Sequence, residues 1–150
     1  MSDDVLPEQP LARAQRRGLL VALAALDEAV QAPMEGQKRW QAEVLAALEG
    51  VRAALVRHAQ FTEAPDGLFA EVVEHAPRLA NAVKHLHAEH DELSRQIDVC
   101  EAAVRALGPD DSVEGVAADA ADLRRWFDRH RDRGAELVYD AYNVDISEAD

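Results

Sequence analysis

Apolar residues recur at steps of three and four along four stretches of this 150-residue chain, the spacing of one buried face on a helix. The first stripe reads Gln15, Leu19, Ala22, Leu26, Val30, and the second Val44, Leu48, Val51, Leu55, His58, Thr62. The third reads Leu79, Val83, Leu86, His90, Leu93, Ile97, Cys100, Val104, Leu107, and the fourth Val116, Ala120, Leu123, Phe127, His130, Gly134, Leu137, Ala141. Helix breakers punctuate the chain between them: Pro7 and Pro10, Pro33 and Gly36, Pro65-Asp66-Gly67, Pro77, and Gly108-Pro109-Asp110-Asp111-Ser112. The pattern predicts helices over 11–31, 37–62 with a continuation over 67–75, 78–107 and 112–142, the last opened by a capping box of Asp111 and Glu114. Short connections between long helices favour antiparallel neighbours, so the expected fold class is all-α, an antiparallel up-down-up-down four-helix bundle.

Composition agrees with that reading. Alanine is the commonest residue, at 29 positions, and only 5% of the chain is aromatic, which suits helices better than strands. The length fits one domain over 1–150, with polar, acidic ends at 1–10 and 143–150 expected to be loosely held. Acidic residues outnumber basic ones 29 to 16, for a formal charge of −13. Such a surface does not attract nucleic acid or an anionic membrane. One cysteine, Cys100, forms no intrachain disulfide, the opening residues lack the basic and apolar regions of a signal peptide, and no apolar run is long enough to span a bilayer. The cytoplasm is the expected location.

The stripes are broken by polar residues, and those breaks carry the candidate chemistry. Gln15, His58, His90 and His130 occupy positions that their own helices reserve for apolar side chains. His90 lies 18 residues before Gly108 and His130 lies 18 after Ser112. Across an antiparallel turn the two are level, about 27 Å from it at 1.5 Å per residue. Matches through the other turns are looser: His58 is 18 before Ala76 and His90 14 after it, while Gln15 is 18 before Pro33 and His58 25 after it. One interior layer of three histidines and a glutamine is the expectation. His85 and His75 read as surface residues, and His87, about 60° from His90 around the helix, flanks the core margin.

These residues resemble the hemerythrin-like, or HHE cation-binding, family of four-helix bundles. The similar stretches are Leu55 to Glu63 (LVRHAQFTE) with Gly67-Leu68-Phe69, Leu86 to His90 (LHAEH) followed by Leu93, and Trp126 to His130 (WFDRH) through Glu136 to Tyr139 (ELVY). The resemblance implies a non-haem di-iron centre inside the bundle, with histidines from all four helices and two carboxylates, used for oxygen binding or for redox and iron sensing. Imidazole suits iron, and carboxylates neutralise cation charge in a dry interior. His58, His90 and His130 match the family's ligand positions. This chain departs at three others. Gln15 stands where the family's first helix carries a histidine. The carboxylate expected four residues after His58 is Thr62, with Glu63 one beyond, and the one expected four after His130 is Gly134, with Glu136 two beyond. Glu63 lies about 140° from His58, and Glu136 about 120° from His130, around an ideal helix. A π-bulge or the break at Pro65 would turn Glu63 inward, though the sequence requires neither.

Three functions stay open: a metal- or oxygen-responsive binding protein with one or two non-haem irons or another small ligand inside the bundle, a metal-free bundle serving interaction or regulation, and a metallo-oxidase. In the metal-free case the histidines hydrogen-bond one another, Gln15, Thr62 or water, and Glu63 and Glu136 are solvated. No nucleophile–base pair, Gly-rich phosphate loop or Cys-x-x-Cys motif points to a conventional enzyme. The arginines at 124, 125, 129, 131 and 133 alternate with Asp128 and Asp132 and read as an ion-paired outer face. Tyr139 and Tyr142 read as packing or capping residues.

Overall fold

The computed structural model describes residues 9–33 and 35–144, and the side chains of Ala14, 16–33 and 35–143. Helix α1 spans Gln9–Gln31, α2 Gln37–Glu63, the short α3 Leu68–His75, α4 Ala80–Ala106 and α5 Glu114–Tyr139. A 3-10 turn at Pro77–Leu79 leads into α4, and a π-helical turn at Asp140–Val144 follows α5. Of the ends expected to be loosely held, 1–8 and 145–150 lie outside the described residues, while Gln9 and Pro10 open α1.

The long helices pack in the cyclic order α1, α2, α4, α5. Contacts between α2 and α4 run in opposite sense along the two helices, from Gln41 against Val104, through Arg52 against Asp98, to Glu63 against His87. Arg124 of α5 reaches Asp27 of α1 at 2.7 Å, and His130 of α5 meets Glu89 of α4. The fold is thus the all-α, antiparallel up-down-up-down bundle that the stripes predict.

Each stripe turns inward because burying its apolar groups is the largest favourable term available; a fully buried Leu, Ile or Val contributes about 1.5–3 kcal/mol. Two apolar clusters result. The larger includes Leu26, Trp40, Leu48, Val51, Leu93, Ile97, Cys100, Leu123 and Phe127. The smaller, at the α3 end, gathers Phe69, Val72, Ala76, Val83, Leu86, Leu137 and Ala141. The histidines that break the second, third and fourth stripes fall between them.

The helix ends show how side chains satisfy orphan backbone groups. Gln41 donates to the carbonyls of Val104 (2.8 Å) and Leu107 (3.2 Å), and Gln37 donates to Gly108, so α2 closes the end of α4. At the start of α5 the expected capping box does not form. Asp111 accepts the Gly108 N–H at 2.7 Å and closes the turn, and Ser112 Oγ instead accepts the Glu114 N–H at 3.2 Å. On α5, Arg124 and Arg131 pair with Asp128, Arg125 pairs with Asp122, and Arg129 lies over Trp126. Tyr142 donates to Glu71 and stacks on His75 at 4.5 Å, but Tyr139 is largely solvent-exposed rather than packed.

Candidate metal centre

His58 on α2, His90 on α4 and His130 on α5 meet in the layer between the two apolar clusters. Their ring centroids lie 5.1 Å (58–90), 5.4 Å (58–130) and 4.9 Å (90–130) apart, in edge-to-face pairs. One nitrogen from each falls within 4.8 Å of the others, and theirs is the one such group of three or more His, Cys, Asp or Glu ligands among the described residues. His90 and His130 are buried and His58 half-buried. His58 Nε2 and His130 Nε2 stand 3.3 Å apart, while His90 Nε2 is buried with no hydrogen-bond partner among the described residues. A buried polar atom left unpaired costs about 1–3 kcal/mol, so this nitrogen calls for a partner, whether a water, a side chain or a cation.

The outer ring nitrogens are satisfied by carboxylates. His90 Nδ1–H donates to Glu63 Oε1 at 2.7 Å, and His87 Nε2–H reaches the same oxygen at 3.0 Å. His130 Nδ1–H donates to Glu89 Oε2 at 3.2 Å, while the other oxygen of Glu89 holds Arg133. Phe69, delivered by α3, stacks on His90 with centroids 5.7 Å apart and planes 16° off parallel. The chain reverses into α3 at Gly67, where a Cβ would come within 2.5 Å of the Phe61 carbonyl, so only glycine fits this close approach.

Burial pushes the His58 imidazole down to about 3, and repulsion from His90 and His130 adds to the effect. Burial also lowers His130, against the opposing pull of its hydrogen bond to Glu89. Both rings are thus held toward the neutral form, in which one ring nitrogen carries a lone pair.

Not every residue singled out in the sequence joins this cluster. Thr62 is buried, but its hydroxyl donates back to the His58 carbonyl at 3.0 Å. Glu136 is exposed and lines an open groove of about 840 Å³ on the outer side of α4 and α5, with Glu92 and Arg95, so it is not brought to the histidines. Gly134 has open space where a side chain would start. His87 is exposed at the margin, touching the site through Glu63, and His85 is exposed. The side chain of Gln15 lies outside the described residues. Glu63 arrives without a π-bulge: α2 runs unbroken to Glu63, and the 140° offset from His58 aims it at His90 on the neighbouring helix.

Sequence reasoning missed Glu89, Arg133 and Phe69. Glu89 sits outside its own helix's stripe, and the available signal was its place beside His90, turned by one residue toward α5.

The hemerythrin HHE cation-binding domain model matches residues 12–142. The chain belongs to that family. No curated protein and no solved structure matches it. In this hemerythrin-family bundle the donor set fits one cation better than two. Among the described residues three imidazole nitrogens converge, one of them unpartnered, whereas Glu63 and Glu89 are already engaged by outer nitrogens and no acidic side chain bridges the interior. Among the described residues no helix is long and apolar enough to cross a membrane.

Proposed function

We propose that this hemerythrin-family protein binds a single first-row transition-metal ion, iron in the first instance, on His58, His90 and His130, and acts as a metal- or ligand-responsive binding protein of the cytoplasm. The observation that carries the reading is the buried, unpartnered Nε2 of His90 within a group of three imidazole nitrogens lying inside 4.8 Å. Imidazole suits iron, zinc, copper and nickel alike, so the donor set favours a transition metal over the hard cations calcium and magnesium. When bound, such an ion supplies a charged site with coordination positions that the protein does not fill, open to a small ligand. The protein's own part is to bind the ion, orient the rings and exclude bulk water, with Phe69 covering one face of His90.

The deciding experiment is an anaerobic titration of chelator-stripped protein with ferrous iron and with zinc, read by calorimetry and by metal content after desalting. One ion per chain, lost when His90 is replaced by Leu, supports the reading. Two ions per chain, or none, overturns it. A metal-free role draws support from the 3.3 Å contact between His58 and His130, which satisfies both nitrogens without an ion. In that alternative His90 Nε2 takes its hydrogen bond from Gln15 or a water, and the titration separates the two.

A further inference from the structure

The two carboxylates beside the centre follow one geometric rule. Glu63, the last residue of α2, reaches across to His90 of α4, and Glu89 of α4 reaches across to His130 of α5. Each acid serves the histidine of the next helix around the bundle, and each touches the outer nitrogen, Nδ1, rather than the inner one. His58 has no such carboxylate among the described residues, and its contact is made through Nε2 to His130.

We propose that Glu63 and Glu89 are positioning residues of the centre, not ligands: each fixes the ring angle and the Nδ1–H tautomer of a neighbouring helix's histidine so that Nε2 presents its lone pair to the ion. This rests on the single-ion reading above. A carboxylate can only accept, so the proton must sit on Nδ1 of His90 and of His130, and each inner nitrogen keeps its lone pair: that of His90 faces no partner among the described residues, and that of His130 accepts from His58 Nε2–H until an ion takes its place. Rings anchored in this way gain basicity and lose rotational freedom, both of which strengthen metal binding. The two carboxylates also place negative charge near a divalent cation without occupying its coordination positions.

The pair is unequal. Glu89 is 16% exposed and shares its charge with Arg133, whereas Glu63 is 30% exposed and is faced by two imidazoles, His87 and His90, and touches no arginine or lysine among the described residues. The negative charge of Glu63 is therefore less offset than that of Glu89. Removing charge alone should weaken metal binding more at Glu63 than at Glu89.

The test uses the full chain with Glu63→Leu, Glu63→Gln, Glu89→Leu and Glu89→Gln. Two quantities are read: the imidazole tautomers of stripped protein by nitrogen NMR, and the zinc affinity by competition with a chelator. The wild type is expected to show Nδ1–H on His90 and His130. Glu63→Leu should disturb the tautomer of His90 alone, and Glu89→Leu that of His130 alone, each with a loss of about 10–100-fold in zinc affinity. The glutamine variants keep an accepting oxygen and should preserve the tautomers, with the larger residual loss of affinity at position 63. They also remain informative if a leucine variant fails to fold. Tautomers unchanged in the leucine variants, or affinity within twofold of wild type, overturn the proposal. If the wild type binds no metal, the single-ion reading fails, and the proposal, which needs both the tautomers and the affinity, fails with it. If metal binds but His90 and His130 carry their protons on Nε2, the proposal fails alone.

Discussion

Glu89 precedes His90 by one residue, yet it is His130, on the following helix, whose Nδ1–H it accepts at 3.2 Å. One step along α4 turns a side chain by about 100°, enough to move it from the bundle axis to the seam with α5. Ligand-type and anchoring residues can therefore be sequence neighbours while serving different helices. The layer is tied together around the bundle rather than along any one helix.

In chelator, the protein should lose stability as the pH falls below about 6.5, in part through His58. Its folded value of about 3 lies far below the ordinary value of 6.5, so between those limits the unfolded chain binds a proton that the folded chain does not. Stability from this group is complete above the unfolded value and is lost as the pH falls toward the folded one, at about 1.4 kcal/mol per pH unit. His130, also lowered, contributes in the same direction. Urea melts at pH 7.5 and 5 should show a smaller drop for His58→Leu than for wild type. An equal or larger drop in the variant contradicts the assignment.

How much of this was legible beforehand follows from which interactions are local. Helix limits were readable because Pro33, Pro65, Gly108 and Pro109 stop helices by backbone geometry alone. The level placement of His90 and His130 was readable because both count 18 residues from one tight turn. His58 counted less well, because α3 and the 3-10 turn lie between α2 and α4 and replace a tight connection. Glu63 looked misplaced when referred to His58 on its own helix, and is well placed for His90 on the next one. Own-helix periodicity carries no record of which neighbour a flanking side chain will meet, and Glu89 was missed for the same reason.

Replacing His90 by Leu should alter stability by less than about 1.5 kcal/mol in chelator, or improve it. The substitution removes a buried nitrogen that has no partner and leaves Glu63, at 30% exposure, free to hydrate and to keep His87. With saturating metal the wild type should gain stability that the variant does not, because ion binding is coupled to folding. Paired melts with chelator and with zinc measure both effects; equal metal-induced gains in the two proteins contradict a role for His90 in holding the ion.

Gly67→Ala should cost about 1–3 kcal/mol, the usual range for forcing extra volume into a packed site. The added Cβ would stand 2.5 Å from the Phe61 carbonyl and 3.0 Å from those of Thr62 and Ala64, all backbone atoms that cannot rotate away. The turn must open, carrying α3 and Phe69 with it, so the stacking of Phe69 on His90 should be lost as well. A loss of stability together with altered His90 ring resonances is the expected result. A neutral melt would mean that the turn has more slack than its geometry indicates.

The last prediction restores the acids that the family resemblance places in the interior. Thr62→Glu and Gly134→Glu put carboxylates one turn from His58 and from His130, on the stripes that face the layer. At position 134 nothing stands within 4 Å of the new Cβ, and the lost glycine removes a helix penalty of about 0.5–1 kcal/mol. At position 62 the room is scarce: Thr62 is 2% exposed, so the larger side chain must displace neighbours and bury a charge. In chelator the double variant should therefore be less stable than wild type. With ferrous iron the order should reverse and the stoichiometry should rise from one ion toward two, since each new carboxylate supplies both a ligand and the charge that a second cation needs. Melts in chelator and in iron, with metal content measured on the same samples, give both readings. If the stoichiometry stays at one while the fold persists, the interior carboxylate positions of a two-cation centre do not lie at 62 and 134 in this chain.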